Sequence, residues 1–420
     1  MKLVFSLFVS ALLLSTVFIT VGFVNYLGHS EAPDEDFYFG VTYGGNTTSE
    51  AKLLIDKVKG FTNVFVLNSY DISTNETAVN EICDYAVEAN MHVIVYFNFI
   101  FYNYTFQFGN LYNSSTWEHY GVSPWHMDWL NNARSRWGGK FLGIYLYDEP
   151  GGKQIDAGYW GGNMMTFSGR NITSFYFPQV ANYREAANRF VTGLMRSGSM
   201  QHAINSSIPD SINTPMPVFT ADNALYWFDY MAGYDAVFVE LGWNNSRAQQ
   251  IALCRGAATV QNKDWGAIIT WTYRQPPYIE SGPEVLDDMI TAYRSGAKYV
   301  LLFNFPKYPE TNPYGILAEE HFNAMKLFWD YIHVIPRDSY GQVGAEAAFV
   351  LPKDYGWGMR SPHDKIWGFW LPDDLSPIIW DRMTTLITKY GFRLDIIYDD
   401  PQYNFTSKYS KTYFWNSTID

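Results

Sequence analysis

The sequence predicts an α/β fold: a (β/α)8 TIM barrel, then a small β-α-β C-terminal domain, with an N-terminal hydrophobic signal or anchor helix. Three observations predict it. Apolar runs alternate with helical periodicity from residue 37 to residue 334. The runs are continuous rather than alternating, as in strands buried on both faces. Eight of them fall within about 300 residues, which is the count of a closed parallel barrel. An open doubly wound sheet is the competing arrangement, but no Gly-rich dinucleotide or phosphate turn follows the first run.

The strands are expected at 37–43, 63–69, 92–99, 141–147, 217–222, 236–243, 266–273 and 299–305. Between them lie amphipathic segments. The first begins at Thr47 with Glu50 three positions on, a capping-box pattern. The second carries Cys83 and the sixth Cys254, the two cysteines of the chain. Those helices fall on opposite sides of a ring, and a disulfide needs Cα atoms within about 7 Å. Two separate buried thiols are therefore expected. From residue 336 the texture changes. A strand at 346–352, an aromatic-rich loop at 352–370, an amphipathic helix at 375–391 ending on Gly391, a strand at 392–400 and a third at 409–415 read as a small α/β module. The domains are then 1–30 (signal or anchor), 31–335 (barrel) and 336–420 (module).

The 420-residue chain is 47% hydrophobic, 17% charged and 18% aromatic, with a net charge of −13. That charge argues against nucleic acid and against anionic lipid head groups as partners. The aromatic excess suits rings that stack on sugars or sit at a membrane surface. Residues 3–24 carry no charge and follow Lys2. The run exceeds a signal-peptide core of about 7–15 residues and is long enough to span a bilayer. No clear small-x-small cleavage site follows, so an uncleaved anchor is favoured over a cleaved signal. Asn-x-Ser/Thr occurs at Asn46, Asn75, Asn103, Asn113, Asn171, Asn205, Asn244, Asn404 and Asn416, where chance would give about three. An N-glycosylated, extracellular or cell-surface protein of archaeal or eukaryotic type is expected.

In barrels of this type the active site lies where the strands end. Those ends supply Tyr43, Asn98, Tyr147, Asp148, Glu149, Asp222, Glu240, Trp243, Trp271, Tyr273, Arg274 and Asn304. Carboxylates and aromatics dominate. None of the eight histidines falls there, so neither a metal nor an organic cofactor is implied. Carboxylates between aromatic walls suit glycoside cleavage, in which one carboxyl donates a proton and the other attacks or activates water. The donor needs a raised pKa, which a neighbouring charge and apolar walls supply.

Tyr147 to Pro150, "YDEP", resembles the Asn-Glu-Pro or Asp-Glu-Pro ending of strand four in many (β/α)8 glycoside hydrolases. The resemblance implies Glu149 as general acid/base. In the commonest clan a Glu ending strand seven is the nucleophile, but here that strand ends "TWTYRQPP" with no carboxylate before Glu280. Another clan uses strands four and six, which fits Asp148 or Glu149 with Glu240. The expected roles are Glu149 as acid/base, Glu240 as nucleophile or base and Asp148 as the charge that tunes Glu149. Tyr43, Asn98, Tyr147, Asp222, Trp243, Trp271, Tyr273, Arg274 and Asn304 are expected at the substrate. Each has a structural alternative: Asp222 as a helix cap, Arg274 as an ion-pair partner for Glu240, the aromatics as packing. The C-terminal module resembles, in outline, accessory domains of some barrel galactosidases. The competing class is a non-catalytic glycan-binding or envelope protein, because several sequons fall in the loops of the presumed active face.

Overall fold

Eight parallel strands close into a ring in simple sequence order: β1 (Tyr38–Tyr43), β2 (Val64–Leu67), β3 (His92–Tyr96), β4 (Phe141–Tyr145), β5 (Val218–Asp222), β6 (Ala236–Leu241), β7 (Asp264–Ile269) and β8 (Tyr299–Leu302), with β8 paired back onto β1. This computed structural model describes residues 37–97, 125–158, 180–195, 216–306, 312–337 and 344–417. The open sheet is thereby excluded, and every expected barrel strand is present, each shorter than its apolar run. The runs overshoot because their last residues leave the ladder to line the mouth. The apolar N-terminal run, Asn98, Asn103, Asn113, Asn171 and Asn205 lie outside the described residues. Among the described residues no helix is long and apolar enough to cross a membrane.

Strand alternation divides the apolar side chains into two cores. One set, with Val66, Tyr96, Tyr145, Phe219, Phe238, Ile268 and Leu301, fills the inside of the ring. The other faces outward under the helices. The helices are α1 (Thr48–Val58), α2 (Tyr70–Ser73), α3 (Glu76–Glu88), α4 (Trp125–Trp137), α5 (Pro150–Ala157), α6 (Tyr183–Met195), α7 (Tyr226–Ala232), α8 (Arg247–Gln261), α9 (Gly282–Arg294) and α10 (Glu319–Val334) among the described residues. The capping box expected at α1 is half formed. Thr47 accepts from the Glu50 N–H at 3.2 Å, while the Tyr43 hydroxyl donates to Glu50 at 3.2 Å and to the Thr47 carbonyl at 2.8 Å. Cys83 on α3 and Cys254 on α8 are both free and buried, as the ring geometry requires.

The C-terminal module is a three-stranded parallel sheet, ordered β10 (Leu394–Tyr398), β9 (Ala347–Leu351), β11 (Lys411–Phe414), with α11 (Ser376–Tyr390) as the crossover from β9 to β10. It joins the barrel through a buried ion pair. Arg255 on α8 donates to Asp395 on β10 at 2.8 Å and to the carbonyls of Phe392 and Leu394 at 2.7 and 2.9 Å, and the Tyr409 hydroxyl donates to the other Asp395 oxygen at 2.9 Å. Truncating one partner strands the other charge in the interior. Asp395→Ala is expected to cost about 3–5 kcal/mol in urea unfolding, with Asp395→Asn costing less because it keeps an acceptor.

Candidate active site

The site is built on the turn that leaves β4. Tyr147 and Glu149 both hold left-handed backbone, with φ of 53° and 51°. Non-glycine residues adopt this only where surrounding contacts hold them, and such strain gathers at functional sites. The contacts are present. Thr220 donates to the Tyr147 carbonyl at 2.6 Å, Tyr234 to the Leu146 carbonyl at 2.8 Å, and the Glu149 N–H to the Ala221 carbonyl at 3.0 Å.

Pro150, Gly151 and Gly152 open α5. Asp222, fully buried at the end of β5, accepts the N–H groups of Gly151, Gly152, Asn223 and Ala224. It thus caps from another strand the N–H groups that α5 cannot satisfy itself. A Cβ on Gly151 would lie 2.2 Å from the Ala224 carbonyl oxygen, so only glycine lets the helix approach β5 this closely. Burial pushes Asp222 up to about 6, against the pull of those four donors. Asp229, fully buried on α7, is pushed well up by burial and then by the Asp222 charge.

Glu240 lies on the inward register of β6, one layer above Phe238, and is buried. The Glu149 carboxyl, on the turn leaving β4, is the strongest of the charges that act on it. Burial, then the charges of Asp148 and Asp222, push Glu149 up to about 7, with Lys153 pulling the other way. Burial and then the Glu149 charge push Glu240 well above its ordinary value. The neighbouring charge disfavours ionisation of Glu240, so the two carboxyls do not titrate independently. Asp148 is held from below: the Tyr145 hydroxyl donates to it at 2.7 Å and accepts the Ala221 N–H at 3.0 Å. Lys153 lies 3.7 Å from the other Asp148 oxygen and also donates to the Asp148 carbonyl. Asn223 donates its amide N–H to Glu149 at 3.2 Å.

Around this well the ends of β6, β7 and β8 raise Trp243, Tyr273 and Phe305, which are 43%, 42% and 39% exposed. Trp271 packs between Tyr278, Phe303 and Phe305. The structure therefore brings together Asp148, Glu149 and Glu240, with Trp243, Trp271 and Tyr273 at the rim.

Other expected residues are placed elsewhere. Tyr43 points out of the ring to Thr47 and Glu50. Tyr147 is buried in the outer core, because the left-handed turn swings it away from the mouth. Asp222 is a cap, as its alternative had it. Arg274 is exposed and is not the partner of Glu240, whose strongest neighbouring charge is Glu149. Asn304 is buried, accepting the Ile316 N–H at 3.2 Å, and so holds a loop.

Tyr145, Lys153, Asn223 and Phe305 were not anticipated. Tyr145 reaches the inside because β4 shifts register against β3, between Val93 and Ile94, a bulge that simple alternation does not reveal. Position alone marked Asn223, as the residue after a strand-end Asp.

Fold and site together define a (β/α)8 barrel with Asp148, Glu149 and Glu240 at the ends of β4 and β6. No protein-family model matches the chain, and no curated protein matches it. Solved structures do. A GH5_18 protein variant from Bifidobacterium longum subsp. longum in complex with Manb1-4GlcNAc is 10% identical, over 91% of this chain and 96% of that one, with a TM-score of 0.49. A GH5_18 variant from Streptomyces cattleya in complex with the same disaccharide is 13% identical over 90% and 99%, TM-score 0.49. Alpha-L-fucosidase isoenzyme 2 from Paenibacillus thiaminolyticus is 11% identical over 75% of this chain and 52% of that one, TM-score 0.43.

Proposed function

We propose that this chain is an extracytoplasmic, N-glycosylated glycoside hydrolase that cleaves O-glycosidic bonds with Glu149 and Glu240. One observation carries the reading: Glu149 and Glu240 come from the ends of different strands, the Glu149 charge is second only to burial in raising Glu240, and the neighbouring strand ends carry the exposed rings of Trp243, Tyr273 and Phe305. A sugar enters between the two carboxyls. The proton passes from Glu240 to Glu149 as the sugar enters; Glu149, nearer the rim, then gives it to the leaving oxygen, and the ionised Glu240 attacks the anomeric carbon as the bond to that oxygen breaks. Water, losing its proton to Glu149, then releases the sugar and frees Glu240. Asp148 keeps the proton on Glu149 near neutrality. Secretion and glycosylation are supported by the sequons: all five within the described residues, Asn46, Asn75, Asn244, Asn404 and Asn416, are exposed.

The test is turnover of the full chain on a panel of aryl glycosides and free glycans. Cleavage by wild type is expected. Binding of a glycan without cleavage would instead support the binding protein. The pH profile adds a check on the pair. Glu149 must enter protonated and is held at about 7, so kcat/KM is expected to fall as pH rises through about 7 rather than near the ordinary 4.5.

A further inference from the structure

The C-terminal module does more than cover the barrel. Its loop 352–370 lies on α5, the helix that begins immediately after Glu149. Gln154 on α5 donates to the Trp367 carbonyl at 2.7 Å, and Lys365 donates to the Asp156 carbonyl at 3.0 Å. Gly368 has φ of +74°, and a Cβ there would lie 2.0 Å from the Gln154 carbonyl oxygen, so loop and helix touch backbone to backbone. Arg360 stands at the centre of this contact. It is forked onto Asp364, at 2.8 and 3.0 Å, and reaches Asp156 at 2.7 Å. Its remaining nitrogen points at the Asn223 carbonyl oxygen, at 3.4 Å.

That last contact decides which way the Asn223 amide faces. With its oxygen turned to a guanidinium, its NH2 is turned to Glu149. The reversed amide would set donor against donor at Arg360 and acceptor against acceptor at Glu149. We propose that Arg360 and Asn223 are positioning residues for Glu149, and that the C-terminal module is through them a working part of the active site. The proposal rests on the reading of Glu149 as an active-site acid. Its consequence is a defined charge balance. Glu149 is faced by Asp148 and Lys153 from its own turn and helix, by Asp222 and Asn223 from the end of β5, and by Glu240 from β6. Among these, Asn223 is a neutral donor to the ionised form, and it opposes the carboxylates that favour the proton.

The experiment is a carboxyl 13C NMR titration of full-length protein labelled at glutamate Cδ. The Glu149 resonance is assigned by its loss in Glu149→Gln, and no substrate is needed. Removing the donor disfavours the ionised form, so the Glu149 midpoint is expected to rise by about half a unit to one unit in Asn223→Ala and in Arg360→Met. Arg360→Lys, which restores a cationic donor, should move it back toward wild type. Asn223→Ala leaves the Asp156 and Asp364 pairs of Arg360 intact and guards against simple loss of the module. Unchanged midpoints in both Asn223→Ala and Arg360→Met, in folded protein, overturn the proposal. The two readings fail separately. A shifted midpoint in a chain that cleaves no glycoside sinks the hydrolase and leaves the positioning. Cleavage that depends on Glu149, with an immobile midpoint, does the reverse.

Discussion

Glu149→Gln and Glu240→Gln are each expected to lower kcat on unactivated glycosides by at least about 10³-fold, because each removes a group that exchanges a proton or a bond in the transition state. The two losses should differ in kind. A dinitrophenyl leaving group departs without help from an acid, so Glu149→Gln should still release dinitrophenol in the first step, whereas Glu240→Gln should not. Equal loss on both substrate types would remove the assignment of roles, and full activity in both variants would remove the pair. Neither change should unfold the protein. The folded state holds Glu149 at about 7 against an ordinary 4.5. A carboxyl whose folded pKa is raised disfavours the fold once pH exceeds the unfolded value, and the penalty grows until the folded value is passed. A neutral amide avoids it. The melting temperature of Glu149→Gln should therefore equal that of wild type below about pH 4.5 and exceed it by a widening margin up to about pH 7. A clear fall in melting temperature at pH 7 would mean that the glutamate is held for structure.

The second large effect belongs to Asp222, which touches no substrate. It accepts four backbone N–H groups, two from α5 and two from its own turn. Truncation to alanine leaves those donors buried without an acceptor, at an expected cost of about 3–5 kcal/mol in urea unfolding. Because α5 follows directly on Glu149, its start will shift. A displacement on the order of 1 Å at the acid is worth about 10²-fold in rate. Asp222→Asn keeps one acceptor oxygen and sets an NH2 against the other donors, so it should lose roughly half as much stability. Activity unchanged in Asp222→Ala would show that the turn holds Glu149 unaided.

Much of this was open to inspection in the chain. The apolar runs placed all eight barrel strands and the three strands of the module, since burial on both faces demands continuous hydrophobic sequence and little else produces it at that spacing. The separation of Cys83 from Cys254 followed from ring order. Asp148, Glu149 and Glu240 were visible as carboxylates at strand ends. What remained hidden is set by contacts between distant segments. Nothing local says that Glu240 faces Glu149 rather than Arg274, because that depends on which way two loops lean across β5. That Asp222, about seventy positions on, caps the helix starting at Pro150 has no local signature. Tyr147 leaves the face that Tyr145 lines because a left-handed turn overrides alternation. The reach of Arg360 to Asn223 joins residues more than a hundred positions apart. Periodicity along the chain fixes which residues are buried, while charge pairing falls off over a few ångströms and awaits the closed ring.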